Sequence, residues 1–315
     1  MRRSYLAAII LMCIGIACAG CAPPENAPDT ETRTEIPKET QPEQPWDQWA
    51  ERYPSWVEPT KPFQIAGNLY HVGTKGLASF LITTDEGHIL VDGGMPQNAP
   101  IIAANIEAIG FNLHDVKILL NSHAHFDHSG GLAELKEKTG ARLIAHSGDV
   151  SALEGGFYLG AEDKPEYSAP PVKVDQVIED GHIVELGDMA LKANLTPGHT
   201  RGCTSWSFPL TDGGQDYEVL MFCSATVAGN RLVPPQYDGI IEDYRETFEK
   251  TKDWRPDIPL GFHPGFFNFW EKREAQLSGT ANSYVDRDSF PKLMNNLQDR
   301  FEKELALQSS KKPAP

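Results

Sequence analysis

Six consecutive residues, His123-Ala124-His125-Phe126-Asp127-His128, bring three imidazoles and a carboxylate closer together than packing on a helix face or a strand requires. Imidazole and carboxylate are ligands of a borderline-soft cation such as zinc. A catalytic zinc typically keeps about three protein ligands and an open position for water. The run follows the apolar stretch 116–120, so it sits where a buried strand opens into a loop, an edge that commonly carries functional side chains. His123 and His125 can point one way while Asp127 and His128 serve a second ion. Each site then needs a further ligand from a distant part of the chain.

Two histidines stand in suitable settings. His199 lies in Thr196-Pro197-Gly198-His199-Thr200 at the end of one strand pattern, and His263 lies in Gly261-Phe262-His263-Pro264-Gly265 after another. A single histidine in such a turn is more often structural than ligating, but the compact run upstream supplies the partners that make ligation the better reading. His71, His88, His114, His146 and His182 have no companions at ligand spacing and read as surface or satisfied core residues.

The pattern around these residues describes a layered fold. Gly67-Asn68 within 64–72 suggests a hairpin. Segments 79–83 and 88–91 read as strands joined at Asp85-Glu86-Gly87, and they lead into Asp92-Gly93-Gly94. Apolar residues at helical spacing in 97–109 stop at Gly110, and a second helix, 131–138, closes at Gly140 before a strand at 141–145. Strands are expected at 176–178, 182–186, 190–195, 204–208 and 219–223, and a final helix follows Ser289, with Phe290, Leu293, Leu297, Phe301 and Leu305 on one face. Two β-rich halves, each finished by helices, suggest two sheets with helices outside. The acidic stretch 238–249 reads as a solvated helix face, and no internal repeat is found at 20–50 residues.

His123-x-His125-x-Asp127-His128, together with Gly198-His199-Thr200, His263 and Asp92-Gly93-Gly94, resembles the signature of the metallo-β-lactamase superfamily. The resemblance covers roughly 62–265. It implies an α/β fold of αββα sandwich type, two mixed β-sheets flanked by helices with the metals at the sheet edge. It also implies two Zn2+ per chain. His123, His125 and His199 would hold the first zinc, and Asp127, His128 and His263 the second, with Asp92 bracing the ligand loop by hydrogen bonds rather than ligating.

Most hydrolase branches carry a metal-bridging aspartate after the strand that here ends in Phe222-Cys223; this chain has Ser224. That departure, and His128 where one lactamase subclass has Arg, resembles the subclass B3 metallo-β-lactamases. The flanking Pro62-Phe63, Gly76-Leu77, Asn121-Ser122 and Gly202-Cys203-Thr204-Ser205-Trp206 fit as well. The resemblance implies zinc-dependent hydrolysis of the β-lactam amide bond by a metal-bound hydroxide that Asp127 helps to orient, conferring antibiotic resistance. Ser224 and Thr226 would contact the substrate carboxylate, with Thr226 standing where the subclass has serine but keeping a hydroxyl donor. Phe157 and Tyr158, in the Gly-rich stretch 155–160, read either as a flexible wall over the site or as packing residues.

Export is expected from the first twenty residues: Arg2 and Arg3 precede an uncharged apolar stretch, 5–19, too short for a comfortable membrane span. Two cleavage readings stay open. Ala17-Cys18-Ala19 suits an ordinary signal peptidase, whereas Ala19-Gly20-Cys21 resembles the end of a lipobox, with Cys18 where Leu is usual. Lipidated Cys21 would anchor the chain to a membrane, and the tether that follows favours that reading. Residues 21–45 are Pro, Glu, Thr and Gln with almost nothing apolar, a disordered tether ahead of one domain at 46–310. A periplasmic protein held at the outer membrane is the expected location.

In the body, Cys203 and Cys223 either form a disulfide, which export permits, or remain two buried thiols. With 44 acidic residues against 28 basic ones and no basic run, a nucleic-acid partner is disfavoured and a small-molecule substrate is expected. Two rivals remain: another hydrolase of the same superfamily, such as a lactonase or a glyoxalase-II-like thioesterase, and a non-catalytic zinc-binding lipoprotein. The sequence does not set the oligomeric state.

Overall fold

Strand residues alternate between two destinations, and that alternation builds the four layers. Residues 43–311 are described by the computed structural model; the expected leader, Cys21 and nearly all of the tether lie outside the described residues. The first sheet runs in chain order: β1 (Phe63–Ala66), β2 (Leu69–His71), β3 (Phe80–Thr84), β4 (Gly87–Val91), β5 (Val116–Leu120), β6 (Arg142–His146) and β7 (Gln176–Ile178). Its first four strands pair antiparallel and the rest are parallel, with crossovers carrying α2 (Ala99–Ala108) and α4 (Leu132–Thr139) after the short α1 (Asp47–Arg52). The second sheet has the order β12-β11-β10-β9-β8, formed by β8 (Ile183–Leu186), β9 (Met189–Leu195), β10 (Thr204–Asp212), β11 (Gln215–Phe222) and β12 (Ile258–Gly261). Only the β11 to β12 pair is parallel there.

Phe80, Ile82, Ile89, Val91, Ile118 and Leu120 face the second sheet and meet Leu191, Trp206, Phe208, Val219, Met221 and Leu260 in the central core. The alternate residues Leu81, Leu90, Leu119 and Leu143 point the other way, against Ile102 and Ile106 of α2 and Leu132 and Leu135 of α4. On the far side, Leu220 and Phe222 pack beneath α6 (Ile240–Thr251) and α8 (Ser289–Ser310) through Tyr244, Phe248, Phe290, Leu297 and Phe301. Coverage of both faces explains why β4 and β5 read as nearly unbroken apolar runs. The result is the expected αββα sandwich of two mixed sheets flanked by helices.

Several elements extend or add to the expectation. β10 and β11 continue outward to a tight turn at Gly213-Gly214, both at positive φ, where the outward-facing residues turn polar and the apolar signal fades. Four helices have no counterpart in the sequence reading: α1, the single turn α3 (Phe126–Ser129), α5 (Val150–Gly155) and α7 (Phe269–Leu277). The acidic stretch forms α6 with Ile240, Tyr244 and Phe248 buried and Glu242, Glu246 and Glu249 exposed to solvent, while Asp243 is half-buried. Cys203 and Cys223 are joined in a disulfide, so the bridge rather than the thiol pair is the outcome. Among the described residues, no helix is long and apolar enough to cross a membrane.

Candidate metal centre

The run of candidate ligands begins three residues beyond β5 and turns through the single-turn helix α3 (Phe126–Ser129), which carries Asp127 and His128. Its fixed point is Asp92, just after β4, fully buried and at φ +63, a left-handed conformation that Asp tolerates better than most residues. The Asp92 Oδ1 accepts from the Ser122 N–H at 2.6 Å and from Asn121 Nδ2 at 3.2 Å. Its Oδ2 accepts from the Ser122 hydroxyl at 2.6 Å and faces His128 Nδ1 at 3.0 Å. Asp92 thus braces the loop from beneath. Gly93 belongs to the same support, since a Cβ there would come within 2.7 Å of the Leu132 backbone nitrogen.

His199 arrives from the second sheet, on the turn after β9. Gly198 before it has φ +123, and a Cβ would press on the Tyr244 ring at 2.7 Å, so only glycine fits. His199 Nδ1 donates to the Thr226 carbonyl at 2.7 Å, which leaves Nε2 free to ligate. His263 follows β12, and its ring stands 5.6 Å from that of Trp56. Both late histidines therefore reach the run by different strands of the second sheet.

The structure brings the six residues together as two triads. Nitrogens of His123, His125 and His199 lie within 4.8 Å of one another. In the second group, Asp127 Oδ2 lies 3.4 Å from His128 Nε2 and 3.4 Å from His263 Nε2, and the two nitrogens are 3.1 Å apart. Donors at about 2.0–2.1 Å from a tetrahedral zinc stand roughly 3.3–3.4 Å from each other, so the second triad has the spacing of a zinc cage. The first triad passes a separate test. His123 Nε2 is buried with no hydrogen-bond partner, an expense that a bound cation removes.

Protonation states agree with ligation. Burial holds His123 and His125 well below the usual imidazole range, reinforced by neighbouring rings, and it lowers His199 to about 4. These rings are neutral at neutral pH, the form in which imidazole can ligate a cation. Burial also opposes charge on His128, but the Asp127 carboxylate and Asp92 outweigh it and raise the ring to about 10. Asp127 is held well below the carboxylate range because His128 and His263 overcome its burial. In the metal-free protein His128 therefore carries a proton that a cation must displace. Loading at pH 7 should release at least about one proton per chain, from His128 and in addition from any water the metal acidifies, read from how the calorimetric heat changes with buffer ionisation enthalpy; a buffer-independent heat would contradict a charged His128.

A cleft of about 760 Å³ opens over both triads, lined by His125, Asp127, His199 and His263 together with Trp49, Tyr53, Trp56 and Tyr167. Thr226 lines it, whereas Ser224 sits behind, its Oγ accepting the Thr226 N–H at 3.2 Å and lying 3.1 Å from Thr226 Oγ1. Tyr158 also lines the cleft. It is a rigid wall rather than a flexible one: its ring stacks on His125 with centroids 4.0 Å apart, and its hydroxyl donates to Asn230 Oδ1 at 2.7 Å. Of the two readings for Phe157, the structure shows the packing one rather than a substrate-binding wall. Its ring packs against the helical layer outside the first sheet and does not line the cleft, because Gly155 ends α5 and Gly156, at φ +67, turns the chain sharply.

Sequence reasoning missed two organisers. Asn230 donates to the His199 carbonyl at 2.9 Å and links it to Tyr158 and Tyr244. Asp149 is buried beside the loops of the first triad. Neither has a local signal, since each acts only through partners distant in sequence.

Three comparisons bear on this arrangement. The family model described as Metallo-beta-lactamase superfamily matches residues 73–212. Among solved structures, a subclass B3 metallo-β-lactamase of Bradyrhizobium japonicum is 45% identical at a TM-score of 0.80, covering 83% of this chain and 98% of that one. The native metallo-β-lactamase from Legionella gormanii is 40% identical at 0.77, covering 81% and 98%. Curated relatives include the hydroxyacylglutathione hydrolase of Rhodospirillum rubrum, 30% identical over 35% of this chain and 34% of its own length. The chain spans about a third of the length of such relatives.

Proposed function

The chain belongs to the metallo-β-lactamase superfamily of hydrolases, and from that premise we propose that it hydrolyses the amide bond of β-lactam antibiotics with zinc at both triads. The observation that carries the reading is the hydroxyl pair Ser224 and Thr226 in place of a metal-bridging carboxylate. Among the described residues, the only acids lining the cleft are Asp127 and Asp163. Similarity to subclass B3 enzymes over nearly their whole length supports it, whereas the likeness to hydroxyacylglutathione hydrolases is confined to about a third of theirs.

A zinc ion held by these residues would acidify a bound water and polarise a carbonyl. The chain's own groups supply the rest. Asp127, ionised and set between His128 and His263, accepts a hydrogen bond from the attacking water and so orients it. Thr226 offers its hydroxyl to the substrate carboxylate, and Ser224 fixes the Thr226 backbone that presents it. Arg52, Lys164 and Arg231 line the same cleft, a local excess of positive charge in a chain of net charge -16, which favours entry of an anionic substrate. Tyr158 and the aromatic wall reduce the access of bulk water.

A second reading, a glyoxalase-II-like thioesterase, is favoured by the curated relatives alone. Zinc-loaded protein should hydrolyse a chromogenic cephalosporin, lose that activity to a chelator, and leave a hydroxyacylglutathione thioester untouched. Thioester cleavage without cephalosporin cleavage would reverse the assignment. We further propose that the chain acts outside the cytoplasm, anchored through Cys21; the leader pattern and the Cys203 to Cys223 bridge support this.

A further inference from the structure

We propose that Asp149 is a positioning residue for the first metal, acting through the backbone of both loops that carry His123, His125 and His199. It follows β6 at the end of the turn Ser147–Asp149 and is 3% exposed. Its Oδ2 accepts the N–H of Ala124, the residue between His123 and His125, at 2.9 Å, and the hydroxyl of Thr200, next to His199, at 2.8 Å. Its Oδ1 accepts the Gly202 N–H at 2.8 Å. One carboxylate thereby joins the two loops that must converge for three imidazoles to share an ion.

The backbones leave it no alternative position. A Cβ on Gly202 would lie 2.6 Å from the Asp149 nitrogen, and one on Gly148 would lie 2.8 Å from the Arg201 carbonyl carbon. The turn and the His199 loop are pressed together with no side chain between them. All three partners are donors, so only a group with acceptors on both atoms satisfies them. An asparagine would place an amide N–H₂ against at least one N–H or O–H. The nearest loop would shift to relieve that conflict, and ligand geometry would shift with it.

The inference rests on His123, His125 and His199 being metal ligands, and it is independent of which substrate the enzyme cleaves. It is tested by titrating metal-free full-length chain with zinc against a chromophoric chelator, for wild type, Asp149→Asn, Thr200→Val and a control, Asp257→Asn. Asp257 is a buried carboxylate far from the triads in the contacts it makes, accepting the Glu218 N–H at 2.8 Å and pairing with Arg287. Asp127→Asn shows which zinc equivalent belongs to the second triad. Asp149→Asn should weaken the first-triad equivalent about 10–100-fold and leave the other within about threefold, with Thr200→Val intermediate. Asp257→Asn should lower thermal stability without changing either affinity. The proposal is overturned if Asp149→Asn alters affinity no more than Asp257→Asn does, or weakens both equivalents alike. A wild type that takes up no zinc would overturn the ligand assignment and this inference with it, whereas zinc uptake without β-lactam hydrolysis would count against the substrate alone.

Discussion

Asp127→Asn should lower kcat for β-lactam hydrolysis by at least about 100-fold, equivalent to roughly 2.7 kcal/mol of transition-state stabilisation. The substitution keeps the size of the side chain and removes its charge. Asp127 is ionised because two imidazoles face its Oδ2 at 3.4 Å, so asparagine offers either a neutral oxygen or, turned over, an N–H₂ directed at those rings. Metal affinity and water orientation should both suffer. Raising free zinc until occupancy is complete separates the two effects: recovered occupancy with turnover still depressed assigns Asp127 an orienting role, and near-normal turnover at full occupancy would refute one.

Removal of metal is expected to have an equally large effect on stability. His123 and His125 come from the end of the first sheet, while His199 and His263 come from the second, so a bound cation ties the two sheets together at one edge. Zinc at about a thousandfold above its dissociation constant contributes roughly 4 kcal/mol if the unfolded chain does not bind it. For a domain of this size that is a shift of roughly 8–16 °C in Tm. A chelator should lower Tm by that amount and abolish turnover, and added zinc should restore both. An unchanged Tm would mean that the folded triads do not hold the ion.

The parts of this site that could be read from sequence are those whose signal is local. The run 123–128 carries four of the six candidate ligands within six residues, and the glycines around His199 and His263 mark where strands end. Alternating apolar residues likewise outline most strands of both sheets. The support beneath the ligands is different. Asp149, Asn230 and the stacking of Tyr158 on His125 depend on contacts across long sequence separations, and no spacing rule points to them. Phe157 illustrates an ambiguous local signal: Gly155 and Gly156 fit a flexible loop, yet they terminate α5, and the left-handed turn at Gly156 sets the half-buried ring against the helical layer outside the first sheet.

The aromatic wall of the cleft has a practical consequence. Trp49 and Arg52 belong to α1, and Tyr53 and Trp56 follow it directly, so the first helix among the described residues and the segment after it border the active site. Trp49 stacks on Tyr167 at 5.3 Å, and Trp56 lies beside His263. A shortened chain intended for crystallisation or expression has to begin before Asp47; trimming this segment as a dispensable extension would remove one side of the catalytic pocket. For the same reason, an affinity tag fused close to α1 belongs on a long spacer or at the other terminus, where it does not compete with substrate for the cleft mouth.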